Sequence, residues 1–255
     1  MHMPRIFEMS EETLLRFICG EVSTYLNAFS FMEEPALGLR RAEWTIDCYI
    51  TLPRTELGLV PDKKPGDIDV LLVPTFDGDR FCERAMAIEA KRFVVPRCNR
   101  GRSPNEYGTD QINGLCSDGF PLVGLLHVAL VEDSADDDLV EIPVLKMKYA
   151  ISESPFEGTT QIDPAHFNTT KRHVGRIEGL QLPEYVGYNV ETLQIDKTGS
   201  RVVGWSVWGW KAPKVNPARD AALVERLRNL KRPPHYRINH TFGGVHISST
   251  GAYRD

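Results

Sequence analysis

The sequence predicts an α/β fold, and its hydrophobic pattern supplies the three observations behind that prediction. Apolar residues recur every three to four positions over 10–31, which predicts an amphipathic helix. Residues 43–50 alternate polar and apolar side chains, as a strand with one solvent-facing side does. The runs 68–73 and 122–131 are almost continuously apolar, which is typical of strands buried on both faces.

The helix over 10–31 begins with Ser10 as its N-cap. Glu11 and Glu12 follow in the first turn, where the helix dipole favours acidic residues. Glu21 lies within or beside the apolar face, and a carboxylate there is costly unless it is paired or binds a metal. Glu21 is therefore either a functional carboxylate or an edge residue that reaches solvent.

A strand over 85–91 carries Glu89 and Lys91 at alternate positions, so both side chains project from one face about 7 Å apart along the chain. The turn Asp77-Gly78 joins this strand to the run 68–73 in a predicted antiparallel hairpin. A carboxylate and an ammonium placed in this way can hold a divalent cation and orient a water molecule, provided that the neighbouring strand adds a carboxylate.

Two aspartates at the start of the neighbouring strand, Asp67 and Asp69, are candidates for that second carboxylate. They share strand parity, so both can face the site. Counting from the tight turn places Asp67 closer to the position opposite Glu89. The apolar run directly after Asp69 favours Asp69, which we place first, and Asp67 is kept as a second ligand.

The segment after the hairpin is basic, with Lys91, Arg92, Arg97, Arg100 and Arg102 within a dozen residues. It is either a solvated loop or a loop that contacts phosphate groups. Ser103 and Glu106 then form a capping box, which predicts a second helix that carries Gln111. With the strand over 122–131, the order helix, three strands, helix and strand is complete.

Beyond residue 150 the signals weaken. Residues 152–184 are polar and loop-like, and strands are predicted over 185–195 and 201–210. A helix is predicted to begin at Asn216-Pro217, with Pro217 in its first position. Its end and sequel form a second basic cluster, which is the better candidate for nucleic-acid contact: Arg226, Arg228, Lys231, Arg232 and Arg237.

Composition restricts the class of protein. The chain has 255 residues, a net charge of −5 and five scattered cysteines, which favour reduced thiols over a disulfide framework or a zinc site. It contains neither a secretory signal pattern nor an apolar run of about 20 residues, so we expect a cytoplasmic protein without membrane contact. Because the net charge is negative, any nucleic acid must be held by a local basic patch or through metal ions.

Carboxylates from separate strands together with one lysine suit metal-assisted phosphodiester hydrolysis. Magnesium prefers oxygen ligands and keeps several water molecules, so one or two carboxylates are enough to bind it. The metal neutralises charge that builds on the phosphate, and the lysine can orient the attacking water or assist its deprotonation.

These residues follow a recognisable pattern. Gly66-Asp67-Ile68-Asp69 before an apolar strand, followed by Glu89-Ala90-Lys91, resembles the PD-(D/E)xK nuclease superfamily. The resemblance covers about residues 10–131, although the proline that precedes the family's aspartate is absent at the adjacent position. It implies a restriction-endonuclease-like core, a central mixed β-sheet flanked by helices, over residues 1–150. Residues 151–255 are then a C-terminal α+β extension packed on this core.

The resemblance also implies roles. Asp69 and Glu89 would bind Mg²⁺, for which Mn²⁺ can substitute, and Lys91 would act on the attacking water. Glu21 and Gln111 would support them. DNA is the expected substrate, and the residues expected to contact it are Arg92, Arg97, Arg100, Arg102, Lys231 and Arg232.

The alternative is a catalytically inactive nuclease-like module that binds nucleic acid or a partner protein. A recruiting partner protein or a homodimer is compatible with either reading. The families of this kind act in defence, restriction, recombination or mobile-element biology.

Overall fold

The computed structural model describes residues 6–37, 44–60, 66–96, 107–132, 139–145, 156–195, 202–205, 209–241 and 244–251. The α-helices in these ranges are α1 (Glu11–Gly20), α2 (Val22–Tyr25), α3 (Phe31–Leu37), α4 (Thr109–Asp118), α5 (Ala165–Glu178) and α6 (Ala221–Arg228). The strands are β1 (Trp44–Leu52), β2 (Ile68–Phe76), β3 (Asp79–Arg80), β4 (Met86–Val95), β5 (Leu122–Val131), β6 (Val140–Leu145), β7 (Phe156–Ile162), β8 (Gly187–Ile195), β9 (Val202–Trp205), β10 (Tyr236–Thr241) and β11 (Gly244–Ser249).

One mixed sheet organises the fold, in the order β11-β10-β1-β2-β4-β5-β8-β9, with β3 paired to β2. Strands β1, β2 and β4 are antiparallel neighbours, whereas β5 runs parallel to both β4 and β8. Strands β6 and β7 form a separate two-stranded sheet. The predicted α/β class and the predicted order of the first elements are confirmed. The finer assignment to a restriction-endonuclease-like core stays a prediction.

Helices cover both faces of the sheet, and alternate residues of β4 join opposite cores. Met86 and Ile88 belong to the core beside α1, with Leu14. Ala87 belongs to the core beside α4, with Ile112. The odd-numbered positions of β4 therefore face α4, and this parity decides where the side chains of its second half point.

The stretch after residue 150 contributes to the same sheet at both edges. Strands β8 and β9 extend it beyond β5, and strands β10 and β11 extend it beyond β1. None of the helices in the described ranges is both long and apolar enough to cross a membrane.

The predicted helix over 10–31 is interrupted. Helix α1 ends at Gly20, and Glu21 adopts an extended conformation with φ −112° and ψ 125° before α2 begins. The Thr24 hydroxyl donates to the Ile18 carbonyl oxygen at 3.1 Å, which satisfies an acceptor that the broken helix would leave unpaired. The apolar spacing continues through this break, so the sequence pattern did not reveal it.

The prediction of a loop over 152–184 is wrong, because the structure has β7 and α5 there. The buried side of α5 includes polar side chains, namely His166, Thr169, Thr170 and His173. A search for apolar periodicity overlooks such a helix, since half of its buried stripe is not apolar.

The predicted helix start at Asn216-Pro217 is also wrong. Helix α6 begins at Ala221, with the Asp220 side chain accepting from the Ala222 amide at 2.9 Å. The Asn216 side chain does not cap a helix here, because its amide group donates to the carbonyl oxygens of Cys116 and Phe120. The predicted start of the preceding helix at Ser103 lies outside the described residues.

Candidate active site

The candidate site lies where β2 and β4 separate. The two strands pair only through Val70–Leu72 and Met86–Ile88, and continuing that register places Asp69 opposite Glu89. The pairing shifts by three residues from the tight-turn register, in which Thr75 faces Arg80. The shift arises because a 3₁₀ turn at Cys82–Arg84 interrupts the hairpin. Counting from the tight turn therefore placed Asp67 too close to the position opposite Glu89, which Asp69 takes in the observed register.

Two carboxylates replace β2 as hydrogen-bond acceptors along the open edge of β4. The Ala90 amide donates to Asp69 Oδ2 at 2.8 Å, and the Arg92 amide donates to Glu11 Oε2 at 3.3 Å. Backbone N–H groups that lose a strand partner need another acceptor. The start of β2 and the start of α1 thus bring Asp69 and Glu11 to the same stretch of β4.

Glu89 and Lys91 project from the face of this stretch that α4 covers. Glu89 is only 3% exposed, and its Oε1 lies 2.6 Å from Lys91 Nζ. Burial would lower the pKa of Lys91, but the Glu89 hydrogen bond and the charges of Glu89, Glu11 and Asp69 raise it above its ordinary value. Lys91 is therefore a protonated ammonium at neutral pH, able to donate hydrogen bonds.

Asp69 and Glu89 influence each other's ionisation. Burial, followed by the nearby charge of Glu89, raises the pKa of Asp69 to about 8. Burial also raises the pKa of Glu89, although the Lys91 ammonium and a hydrogen bond with Asp69 oppose this. Ionising both carboxyl groups together therefore costs free energy, which the nearby Lys91 ammonium offsets in part.

These residues fit a divalent cation. A bound cation would offset the repulsion between the Asp69 and Glu89 carboxylates. Their oxygen donors are the kind that magnesium prefers, and two carboxylates suffice for it. Within the ranges that the structure describes, no group of three or more His, Cys, Asp or Glu residues is spaced to enclose a metal ion.

A close approach of α4 completes one wall of the site. Gly108, which precedes α4, has φ +82°, and a Cβ atom there would lie 3.3 Å from Cγ of both Glu89 and Lys91. Only glycine combines that left-handed backbone with so little space. The start of α4 therefore packs directly on the side chains of the Glu89–Lys91 pair.

Arg54 is a functional candidate that the sequence pattern did not reveal. It opens a 3₁₀ turn after β1, it is 3% exposed, and its Nε donates to the Gly66 carbonyl oxygen at 3.0 Å. It forms an ion pair with Asp118 of α4. The charges of Glu89 and Asp69 also act on the guanidinium. Arg54 thus supplies a buried positive charge that acts on the carboxylates of the site.

The remaining predicted carboxylate and amide positions are spread more widely. Asp67 is exposed, and its charge acts on Arg54. Glu21 is exposed at the far end of α1 from Glu11, a separation of roughly 15 Å along a helix of this length. Glu11, not Glu21, is the α1 glutamate that the structure brings to the site. Gln111 lies half-buried in the first turn of α4.

The predicted nucleic-acid contacts divide into three groups. Arg97, Arg100 and Arg102 lie outside the described residues. The Arg92 guanidinium donates to the Phe7 carbonyl oxygen, so it is tied to the segment before α1. In the second basic cluster Lys231 is exposed, whereas Arg232 pairs with Glu56 at 2.6 Å.

A buried histidine pair lies one strand away from Lys91. His127 of β5 is in register with Lys91, and its Nε2 donates to the Tyr107 carbonyl oxygen at 3.2 Å. Because that carbonyl only accepts, His127 Nδ1 is free to accept from Nδ1 of His173 at 3.4 Å. The ring of Phe93 lies 4.7 Å from both imidazoles, centroid to centroid. The pair fastens α5 and Tyr107, the residue before Gly108, to the sheet.

Acid is expected to loosen this pair. Burial, then the neighbouring Arg176 and Arg172, lowers the pKa of His173 to about 4, and burial with the charge of His173 lowers that of His127 to about 3. Both stay neutral in the folded chain while an unfolded histidine already protonates near pH 6.5. The stability that they contribute is therefore complete above pH about 6.5 and is lost as the pH falls toward 4, by up to about 3 kcal/mol for His173.

Urea unfolding of the wild type and of His173→Gln at a series of pH values measures this effect. Between pH about 6.5 and about 4, His173→Gln should lose less of its free energy of unfolding than the wild type loses. His246→Gln, at an exposed position of β11, is the control and should follow the wild type. Equal pH dependence in the wild type and His173→Gln would contradict the expectation.

Comparisons with known proteins give no match for this chain, whether with family models, curated proteins or solved structures.

Proposed function

We propose that the protein is a magnesium-dependent nuclease that hydrolyses DNA phosphodiester bonds. The observation that carries the proposal is the meeting of Asp69 and Glu89 where two strands separate, with Lys91 Nζ 2.6 Å from Glu89. The closeness of the two carboxyl groups supports a cation site, and the Lys91 ammonium supports a hydrogen-bond donor beside it.

Each residue has a task that its surroundings support. Asp69 and Glu89 would hold the cation. Magnesium, when bound, supplies Lewis-acid stabilisation of the charge that develops on the scissile phosphate. The Lys91 ammonium donates a hydrogen bond that orients the attacking water or stabilises the developing charge. Glu11 accepts from the β4 backbone and is the candidate carboxylate from α1, the helix on which the resemblance expected Glu21 to support the metal site.

Asp67 and Gln111 take lesser parts in the proposal. Exposed Asp67 stays a candidate second ligand, and Gln111 stays a candidate support on α4. Buried Arg54 offsets part of the acidic charge of the site.

We further propose membership of the PD-(D/E)xK superfamily, with a restriction-endonuclease-like core within residues 1–150. The order of α1, β1, β2, β4, α4 and β5 supports it, as does the pairing of Asp69 with the Glu89–Lys91 motif. A cytoplasmic role in defence, restriction, recombination or mobile-element biology, with recruitment by a partner protein, belongs to the same proposal.

Cleavage of linear, circular and single-stranded DNA by the purified chain tests the function. We expect fragments with magnesium or manganese and intact DNA when a chelator is added, because the carboxylates need the cation. DNA that stays intact with either metal, yet is retained by the chain, would support the inactive binding module instead. In that case the Glu89–Lys91 ion pair would serve stability alone.

A further inference from the structure

Helix α5 carries an exposed basic surface, which we define as Lys171, Arg172 and Arg176. Lys171 is exposed, and the two arginines, one helical turn apart, are partly exposed. The carboxylate of α5, Glu178, accepts a hydrogen bond from Tyr188 Oη at 3.2 Å. Within the described residues neither Lys171 nor Arg176 forms an ion pair. The charges of Lys171 and Arg176 are therefore available to an anionic partner.

The α5 surface lies beside the candidate active site. His173 fastens α5 to His127, and His127 is in register with Lys91 on the adjacent strand. Neighbouring strands are about 4.8 Å apart. Lys91 and Arg176 both act electrostatically on His127, so each lies near this imidazole. His127 thus connects the α5 surface to the neighbourhood of the Glu89–Lys91 pair.

The second basic cluster, around α6, is different because carboxylates neutralise much of it. Arg228 pairs with Glu83 at 2.7 Å and with Glu225 at 2.5 Å. The other pairs are Arg226 with Asp220, Arg232 with Glu56 and Arg237 with Asp47. A phosphate group would have to displace these carboxylates, and the local field is weakened by them. The cluster that looks basic in the sequence is therefore a poor polyanion site in the fold.

We infer that the α5 surface binds the phosphate backbone of double-stranded DNA that enters the candidate active site. Phosphate contacts from lysine and arginine position a duplex without reading its sequence. The inference rests on the proposed function for its choice of substrate, and it deepens that proposal by locating the substrate on the side of the sheet that α5 covers. The α5 surface also replaces the second basic cluster around α6 as the expected DNA contact.

Duplex binding by two double variants of the full chain tests the inference. One variant removes two charges from α5, Lys171→Ala with Arg176→Ala, and the matched variant removes two from the other cluster, Arg228→Ala with Lys231→Ala. All proteins also carry Lys91→Met and are assayed with magnesium, so that the DNA stays intact. We expect the α5 variant to lose roughly tenfold or more in affinity at low salt, and its salt dependence to fall by about two units of slope.

The matched variant should lose much less affinity. An α5 variant that binds as tightly as its parent, a larger loss in the matched variant, or a parent without duplex binding would each overturn the inference. Far-ultraviolet circular dichroism and the unfolding midpoint confirm that both variants are folded. Cleavage by the chain with Lys91 intact is measured separately, so an inactive chain that needs α5 for binding would refute the proposed reaction and uphold the inference.

Discussion

Replacing Glu89 with Gln is expected to lower the rate of magnesium-dependent DNA cleavage by roughly a thousandfold or more. Glutamine keeps the size of the side chain but removes the charge that, with Asp69, would hold the cation. A cation contributes several kcal/mol to transition-state stabilisation, and about 4 kcal/mol corresponds to that rate factor. Single-turnover cleavage with saturating magnesium measures the chemical step directly.

Two comparisons sharpen this test. Glu184→Gln removes the same charge from an exposed ion pair with Lys214 and should cleave like the wild type. Lys91→Met should cleave slowly but still bind manganese, measured by calorimetry, whereas Glu89→Gln should lose both properties. Wild-type cleavage by Glu89→Gln would mean that this carboxylate takes no part in the reaction.

Replacing Arg54 with Met is expected to lower the free energy of unfolding by about 3–5 kcal/mol. Methionine fills a similar volume but leaves Asp118, only 13% exposed, without its ion-pair partner. It also removes the positive charge that acts on Glu89 and Asp69, and the Gly66 carbonyl oxygen loses its donor. Urea unfolding monitored by tryptophan fluorescence measures the change.

The control for this second variant is Arg228→Met. Arg228 also pairs with carboxylates, Glu83 and Glu225, but its side chain is 46% exposed. Exposed ion pairs contribute about 0–1 kcal/mol, so the loss should be small. If Arg54→Met were no more destabilised than Arg228→Met, the buried guanidinium would not be needed to balance the acidic site.

The first half of the fold could be predicted because its patterns are strong and local. Strand β5 is apolar at every position except His127, and every residue in it is buried. The Ser10 cap and the acids that follow it marked the start of α1, and the Ser10 side chain accepts from the Thr13 amide at 3.1 Å. Glu89 and Lys91 share a face by strand parity alone. These features depend on neighbours in the sequence.

What the sequence left open depends on contacts between distant segments. The choice between Asp67 and Asp69 turned on the 3₁₀ turn inside the hairpin, which no spacing rule specifies. The choice between Glu21 and Glu11 turned on which end of α1 meets β4. Arg54 became a candidate only when its turn was seen beside Asp118, 64 residues later in the chain. The sequence pattern did not reveal α5 because polar side chains occupy part of its buried face. His173 is tolerated there because it forms a hydrogen bond with His127.

The pairing of β1 with β10 has a consequence for how the chain is made. Trp44 of β1 faces His240 of β10. The outer edge of β1 therefore stays unpaired until a strand nearly two hundred residues later has been synthesised. Contacts of such long range slow folding. Until they form, β1 offers unpaired N–H and C=O groups to other nascent chains, which favours aggregation. A shortened chain that stops near residue 150 would leave the edge of β1 unpaired permanently, because it would lack β10. It would also lack β8, the outer partner of β5.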